Sequence, residues 1–188
     1  MLKKFVSVIT VLLCISCTES LLANEPLEVK VEDSFIKFSG VQNRKTKFNG
    51  EFRSFTPVIL FDKDNLSASS IRVEVDLASV DSGSEKRDGM LKKSNWFDIE
   101  KTPKALFVSN KIKALDTGKY RVEGSLTIKG IEQNVILFMN YVELDGLLEL
   151  SGNYTVNRLD FDLGLGAWKN PDWVKHEVEV SYKVVLQQ

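Results

Sequence analysis

The 188-residue sequence carries 25 Lys and Arg against 26 Asp and Glu, a net charge of −1. That balance argues against a protein that tracks nucleic-acid phosphates, which shows a basic excess. Two cysteines, both ahead of residue 18, and one histidine leave a transition-metal or haem site poorly supplied.

In chain order the first predicted element is a leader. Lys3 and Lys4 precede an apolar run from Phe5 to Ile15, the pattern of a secretory signal peptide and too short for a membrane span. Leu21 and Ala23 fit cleavage after residue 23. A competing reading makes Cys17 a lipidated first residue behind the small Ser16. Cys14 stands where an aliphatic residue is usual, so the soluble form is preferred. Removing residues 1–23 takes both cysteines, shifts the net charge to −2, and leaves residues 24–188 for one domain with a sizeable core. The expected location is periplasmic or secreted.

Period-two alternation dominates the rest. Segments 27–40, 46–61, 69–79, 104–115, 119–129, 132–144, 147–157 and 175–187 read as eight strands. Ile71, Val73, Val75 and Leu77 alternate with Arg72, Glu74 and Asp76, and Val178, Val180, Tyr182 and Val184 with Glu179, Ser181 and Lys183. Each such strand has one buried and one wet face, as antiparallel sheets permit. Asp116-Thr117-Gly118, Lys129-Gly130 and Asp145-Gly146 supply turns. Long antiparallel strands from one chain hide their edges in a sandwich or a closed barrel. The fold class is all-β.

The alternation stops in VDLASVDSGSEKRDGMLKKSNWFD, residues 75–98, which reads as a short helix insert. Ser82 and Glu85 have capping-box spacing. Met90 and Leu91 face inward, Glu85 to Asp88 and Lys92-Lys93 stay wet, and Trp96 and Phe97 either plug one end of the barrel or border a cavity.

Catalytic chemistry finds little support. No G-x-S-x-G elbow accompanies His176, and His176-Glu177 lacks a second histidine at helical spacing. The stretch GLGAWK lacks the third glycine and the strand-to-helix setting of a dinucleotide loop. Asp160 and Asp162 fall on one face of a predicted strand with no cleft signal. No catalytic residue and no metal ligand are assigned.

The same residues carry a resemblance. VDLASVDSGSEKRDGMLKKSNWFD, the upstream FDKDNLSASSIRVEVDLASVD, then KTPKALFVSNKI, YRVEGSLTIKGIEQNVIL and VNRLDFDLGLGAWKN follow in order the pattern of the YceI-like family across roughly residues 28–187. The resemblance implies an extended eight-stranded antiparallel lipocalin-like barrel with one short helix insert. It also implies non-catalytic binding of a long isoprenoid lipid, a quinone or polyprenyl compound, as a non-covalent ligand in a tunnel. Two departures bear on the tunnel mouth: SGVQNRKTKFNGEF replaces the usual early stretch, and Asp162 stands at the family glycine after Asp160-Phe161.

On that basis the expected tunnel lining is Phe38, Phe52, Val73, Val75, Trp96, Phe97, Phe107, Leu126, Phe138, Phe161, Trp168 and Val180. Asn157 and Arg158 are the expected head-group contacts at the mouth. For Arg158 the alternative is a local ion pair with Asp160 or Asp162. Lys169 and Lys175 beside Trp168 and Trp173 mark a rim suited to transient contact with anionic head groups, and a homodimer completes the expected partners. The rival function is a barrel filled by its own side chains that acts through its surface, as a secreted stress-related interaction protein.

Overall fold

Strands form where the alternation runs, and the turns that join them have the backbone their sequences require. The computed structural model describes residues 26–187; the expected signal peptide, its cleavage site and Cys17 lie outside the described residues. Ten strands are present: β1 (Glu28–Gln42), β2 (Thr46–Phe52), β3 (Phe55–Leu60), β4 (Ser70–Asp76), β5 (Val80–Asp81), β6 (Lys104–Asp116), β7 (Lys119–Ile128), β8 (Ile131–Leu144), β9 (Leu147–Asn157) and β10 (Glu177–Gln187). Among the described residues one α-helix, α1, spans Glu85–Leu91. Lys129-Gly130 and Asp145-Gly146 both have positive φ at each residue, the twist-matched two-residue hairpin turn.

All strands belong to one antiparallel sheet, ordered β3-β4-β6-β7-β8-β9-β10-β1-β2-β5. The sheet curls into a lipocalin-like barrel. Its terminal strands are continuous in sequence with strands near the opposite edge: β3 follows β2 after Arg53-Ser54, and β5 follows β4 after a 3-10 turn at Leu77–Ser79. The curl therefore brings the two ends together, with Glu51 paired to Asp81 and Phe55 to Val75.

The expected eight strands are corrected to ten because segment 46–61 breaks into β2 and β3 at this corner, and a 3-10 turn ends segment 69–79 and leads into β5 just past it. The Asp76 carboxylate caps the 3-10 turn by accepting from Ala78 N, and Ser79 Oγ accepts from Ser54 N at 3.0 Å. These bonds take backbone groups out of the ladder and bend both strands. The helix start also moves. Ser84, not Ser82, is the N-cap, with its side chain accepting from Arg87 N. Ser82 is buried instead and shares its hydroxyl with Asp88 and Arg87 Nε.

Two apolar clusters fill opposite halves of the barrel. One contains Phe38, Leu77, Trp96, Phe97, Val156, Phe161 and Val174, and the other Ile59, Ile71, Tyr120, Val122, Met139, Leu148, Leu150 and Leu186. Between them the inward side chains are not all buried. Val73, Phe107, Leu126 and Val180 face inward yet retain accessible surface, which marks an interior that side chains leave unfilled.

Candidate functional site

The interior is a cavity of about 500 Å³, within the usual range for a site that holds one small molecule. Its walls are almost all hydrocarbon. Strand register sets two inward belts: Val73, Phe107 and Leu126 are successive partners across β4, β6 and β7, and Phe38, Val180 and Tyr154 across β1, β10 and β9.

Glycine keeps the aromatic members of the wall out of the lumen. Gly50 is paired with Phe38, Gly40 with Phe48, and Gly152 with Tyr182. In each pair a Cβ on the glycine would lie 2.3–2.6 Å from the aromatic side chain. The side chain thus lies across the neighbouring strand and not across the barrel. Burial pushes the Tyr182 phenol up to about 12, so it lines the wall as a neutral hydroxyl at physiological pH.

One end is sealed by aromatic contact. Phe61 meets Tyr120 at 5.1 Å and Tyr141 at 5.4 Å between ring centroids. The other end is crossed by α1, by the loop after β9, and by Trp96, Phe97 and Trp168. Trp96 and Trp168 meet at 6.0 Å, and Phe97 meets Phe52 at 5.9 Å. Among the cavity-lining residues only Lys86, on α1, is exposed, so the opening lies beside it. Gln42, Ser84 and Arg87 line the cavity at the same place. Arg87 sits 5.1 Å over the Phe48 ring and donates to Ser82 and Gln42. The expectation that Lys86 and Arg87 belong to a purely solvated helix face is corrected: both border the opening.

Arg158 is the unusual group. It is 1 % exposed and spends every N–H on backbone carbonyls: Nε on Lys175, one terminal nitrogen on Leu163 and Gly164, the other on Trp168 and Val174. Trp96 lies 5.5 Å from the guanidinium. Burial pushes its pKa down, yet guanidinium stays protonated in proteins. Arg158 does line the cavity wall, but with every N–H spent it has no donor left for a head group. The local ion pair is corrected, because Asp160 and Asp162 are not among its partners. What Arg158 does is gather residues 163–175 into the floor that carries Leu163, Trp168 and Val174.

The structure brings Phe38, Phe52, Val73, Val75, Trp96, Phe97, Phe107, Leu126, Trp168 and Val180 into one wall. Three expected residues lie elsewhere. Phe138 is 59 % exposed on the outer face, because β8 turns Val135, Leu137 and Met139 inward. Phe161 is buried in the end cluster without lining the cavity. Asn157 is exposed and caps the 3-10 turn at Arg158–Phe161, with its side chain accepting from Leu159 N. Asp160 lies in that turn and Asp162 ends it with a left-handed backbone, so they do not share a strand face. Sequence reading missed Gln42 and the glycine–aromatic pairs; the signal for the latter is Gly40 and Gly50 placed symmetrically about the hairpin turn from Phe48 and Phe38.

A chain profile now decides the family: that of the YceI-like domain matches residues 27–186. The chain belongs to the YceI-like family. A UPF0312 protein of Photorhabdus laumondii is 31% identical over 138 residues, covering 73% of this chain and 71% of that one. The crystal structure of Burkholderia cenocepacia BcnA superposes with a TM-score of 0.82 at 27% identity, covering 85% of this YceI-like chain and all of the other. A polyisoprenoid binding domain from Saccharophagus degradans, implicated in plant cell wall breakdown, superposes with a TM-score of 0.71. At 15% identity over 87% of this chain and 98% of that one, it is a likeness of fold.

His176, the one histidine, has Nε2 2.9 Å from the Lys169 carbonyl oxygen. Among the described residues no three His, Cys, Asp or Glu side chains converge in a way that holds a metal ion.

Trp96 permits a sharp comparison. Its indole N–H is buried without a hydrogen-bond partner, and its ring packs beside the Arg158 guanidinium in the cavity wall. Trp96→Ala is expected to cost about 3 kcal/mol, the low end for a buried Trp, because one side of the ring already faces open space. Trp96→Phe is expected to cost under about 1.5 kcal/mol, since removing the unpaired donor offsets lost contact area. Chemical denaturation of the three proteins at matched slope reads both values.

Proposed function

We propose that this protein is a non-catalytic carrier of a long isoprenoid lipid, a quinone or polyprenyl compound, in the compartment outside the inner membrane. The observation that carries the reading is the apolar cavity running through the barrel, sealed by Phe61, Tyr120 and Tyr141 at one end and open at Lys86 at the other. The described likeness to a polyisoprenoid binding domain supports the same class of ligand. The tail lies against Phe38, Val73, Phe107, Leu126 and Val180, and the polar head sits beside Gln42, Lys86 and Arg87. Each buried CH₂ contributes about 0.8 kcal/mol, so a five-carbon unit within the wall contributes about 4 kcal/mol before the costs of association. The cavity weighs against the filled-barrel reading, in which inward side chains leave no room for a ligand.

Native mass spectrometry of the secreted protein from its own host, followed by organic extraction, tests the proposal. One bound species with isoprene-spaced fragments is expected. A bare polypeptide mass that persists after incubation with quinones and polyprenols would overturn it. The same spectrum gives the first residue of the mature chain, with residue 24 expected.

A further inference from the structure

The end that carries the opening is charged differently from the sealed end. Three segments surround the opening and are tied to one another. The β1–β2 turn donates Asn43 N to Trp173 O and Arg44 N to Asp172 O, Lys175 N bonds Val41 O, and Arg87 of α1 reaches Gln42. The turn and the start of β2 present Arg44, Lys45 and Lys47. Helix α1 and the residues after it present Lys86, Arg87, Lys92 and Lys93 against Glu85 and Asp88. The loop before β10 presents Lys169 and Lys175 against Asp172.

Nine cations thus face three carboxylates on a protein whose total charge is slightly negative. Two of the three are engaged: Asp172 pairs with Arg44, and Asp88 accepts from Ser82. Among the described residues none of the seven rim lysines has a carboxylate partner, whereas five of the ten elsewhere do: Lys63, Lys101, Lys104, Lys113 and Lys183. Other acids of this end are Glu177, exposed at the start of β10, and Asp98, Glu100, Asp160 and Asp162, which lie on segments that do not border the opening; none lines the cavity. At the sealed end the sign reverses: the loops there carry Asp62, Asp64, Asp116, Glu143 and Asp145 against Lys63 and Lys119. On the basic rim Trp173 is 54 % exposed, an amphipathic ring of the kind that settles at membrane–water interfaces.

We infer that this rim is a docking surface for an anionic lipid bilayer, and that the end-to-end charge difference turns the barrel so that the opening beside Lys86 faces the membrane. This rests on the proposed lipid cargo for its purpose. The physical basis is independent of it. Unpaired lysines gain from a negative surface, the acidic sealed end is repelled by it, and Trp173 enters the head-group layer. Docking in this orientation gives a water-insoluble ligand a route between bilayer and cavity that bypasses water.

The test is flotation of the purified protein with vesicles of phosphatidylcholine alone or with about one third phosphatidylglycerol, at low and high salt. Binding to the anionic vesicles alone, lost as salt rises from about 50 to about 500 mM, is expected. Lysines near such a surface contribute about fivefold each, so Lys45→Glu/Lys47→Glu/Lys93→Glu is expected to weaken partitioning by about a hundredfold or more. Lys63→Glu/Lys113→Glu/Lys119→Glu makes the same change in net charge toward the sealed end and is expected to lose less than about threefold. Trp173→Ala is expected to reduce quenching of tryptophan fluorescence by brominated lipid, the remainder coming from Trp96 and Trp168 in the cavity wall. Equal losses in the two triple variants, equal binding to neutral vesicles, or quenching undiminished in Trp173→Ala would each overturn the inference. A protein that carries extractable lipid but ignores vesicles sinks the docking surface alone, and one that docks but never carries lipid sinks the cargo alone.

Discussion

Arg158→Met is expected to lower unfolding stability by about 4 kcal/mol, a large share of the 5–15 kcal/mol typical of a domain. The guanidinium donates to five carbonyl oxygens within residues 163–175 and is 1 % exposed. Methionine fills much of the volume but leaves those oxygens buried without donors, and each such loss costs on the order of 1–3 kcal/mol when borne alone. Relaxation of the 163–175 loop makes the sum smaller than five full penalties. Arg158→Lys is expected to recover only part of the loss, since an ammonium has three donors and no planar fork. Because no carboxylate pairs with Arg158, the difference between wild type and Arg158→Met is expected to stay constant as acids are protonated between about pH 6 and pH 4. Urea titrations across that range check it; a difference that shrinks toward acid would restore an ion pair with Asp160 or Asp162. Gly164, whose added Cβ would lie 2.4 Å from the guanidinium and whose φ is +77°, shows how closely the loop wraps this side chain.

Such a role is invisible to local sequence reading. Arg158 stands among Asn157, Asp160 and Asp162, so the nearest charges invite a surface pair. Its real partners lie up to 17 residues ahead and are carbonyls, which no side-chain pattern reports. Strands and turns were far more legible, because alternation and Lys-Gly or Asp-Gly pairs act over two to four residues. The corner of the barrel leaves only a faint trace: in TKFNGEFRSFTPVIL the apolar parity changes across Arg53-Ser54, from Phe48 and Phe52 to Phe55 and Ile59, and the bend there depends on Ser79, distant in sequence. Phe138 was misplaced because NVILFMN is apolar on both faces, so parity alone does not tell Leu137 and Met139 from Ile136 and Phe138. Most of the cavity wall was readable as a set of inward positions. That the set surrounds space was not, since emptiness depends on how rings such as Phe38 and Tyr182 lie over Gly50 and Gly152.

Val73→Trp/Val180→Trp is expected to reduce lipid retention at least about a hundredfold while leaving the folded protein as stable as wild type or up to about 2 kcal/mol more so. The two positions lie in different belts of the wall, and both side chains face open space. Excluding one five-carbon unit from the wall already forfeits about 4 kcal/mol of gross transfer energy, which exceeds a hundredfold in affinity. The two readings of the barrel predict opposite signs for the apo protein. In a filled interior, two added indoles overpack and cost about 1–3 kcal/mol each; in an open one they gain contacts that no side chain now supplies. Thermal denaturation with and without added polyprenol separates them, because a ligand that binds only the folded state raises the midpoint by mass action. Wild type is expected to show that rise and the double variant to show none, with equal or higher apo stability. A destabilised double variant, beside a wild type that ignores the lipid, would return the protein to the class of filled barrels that act through their outer faces.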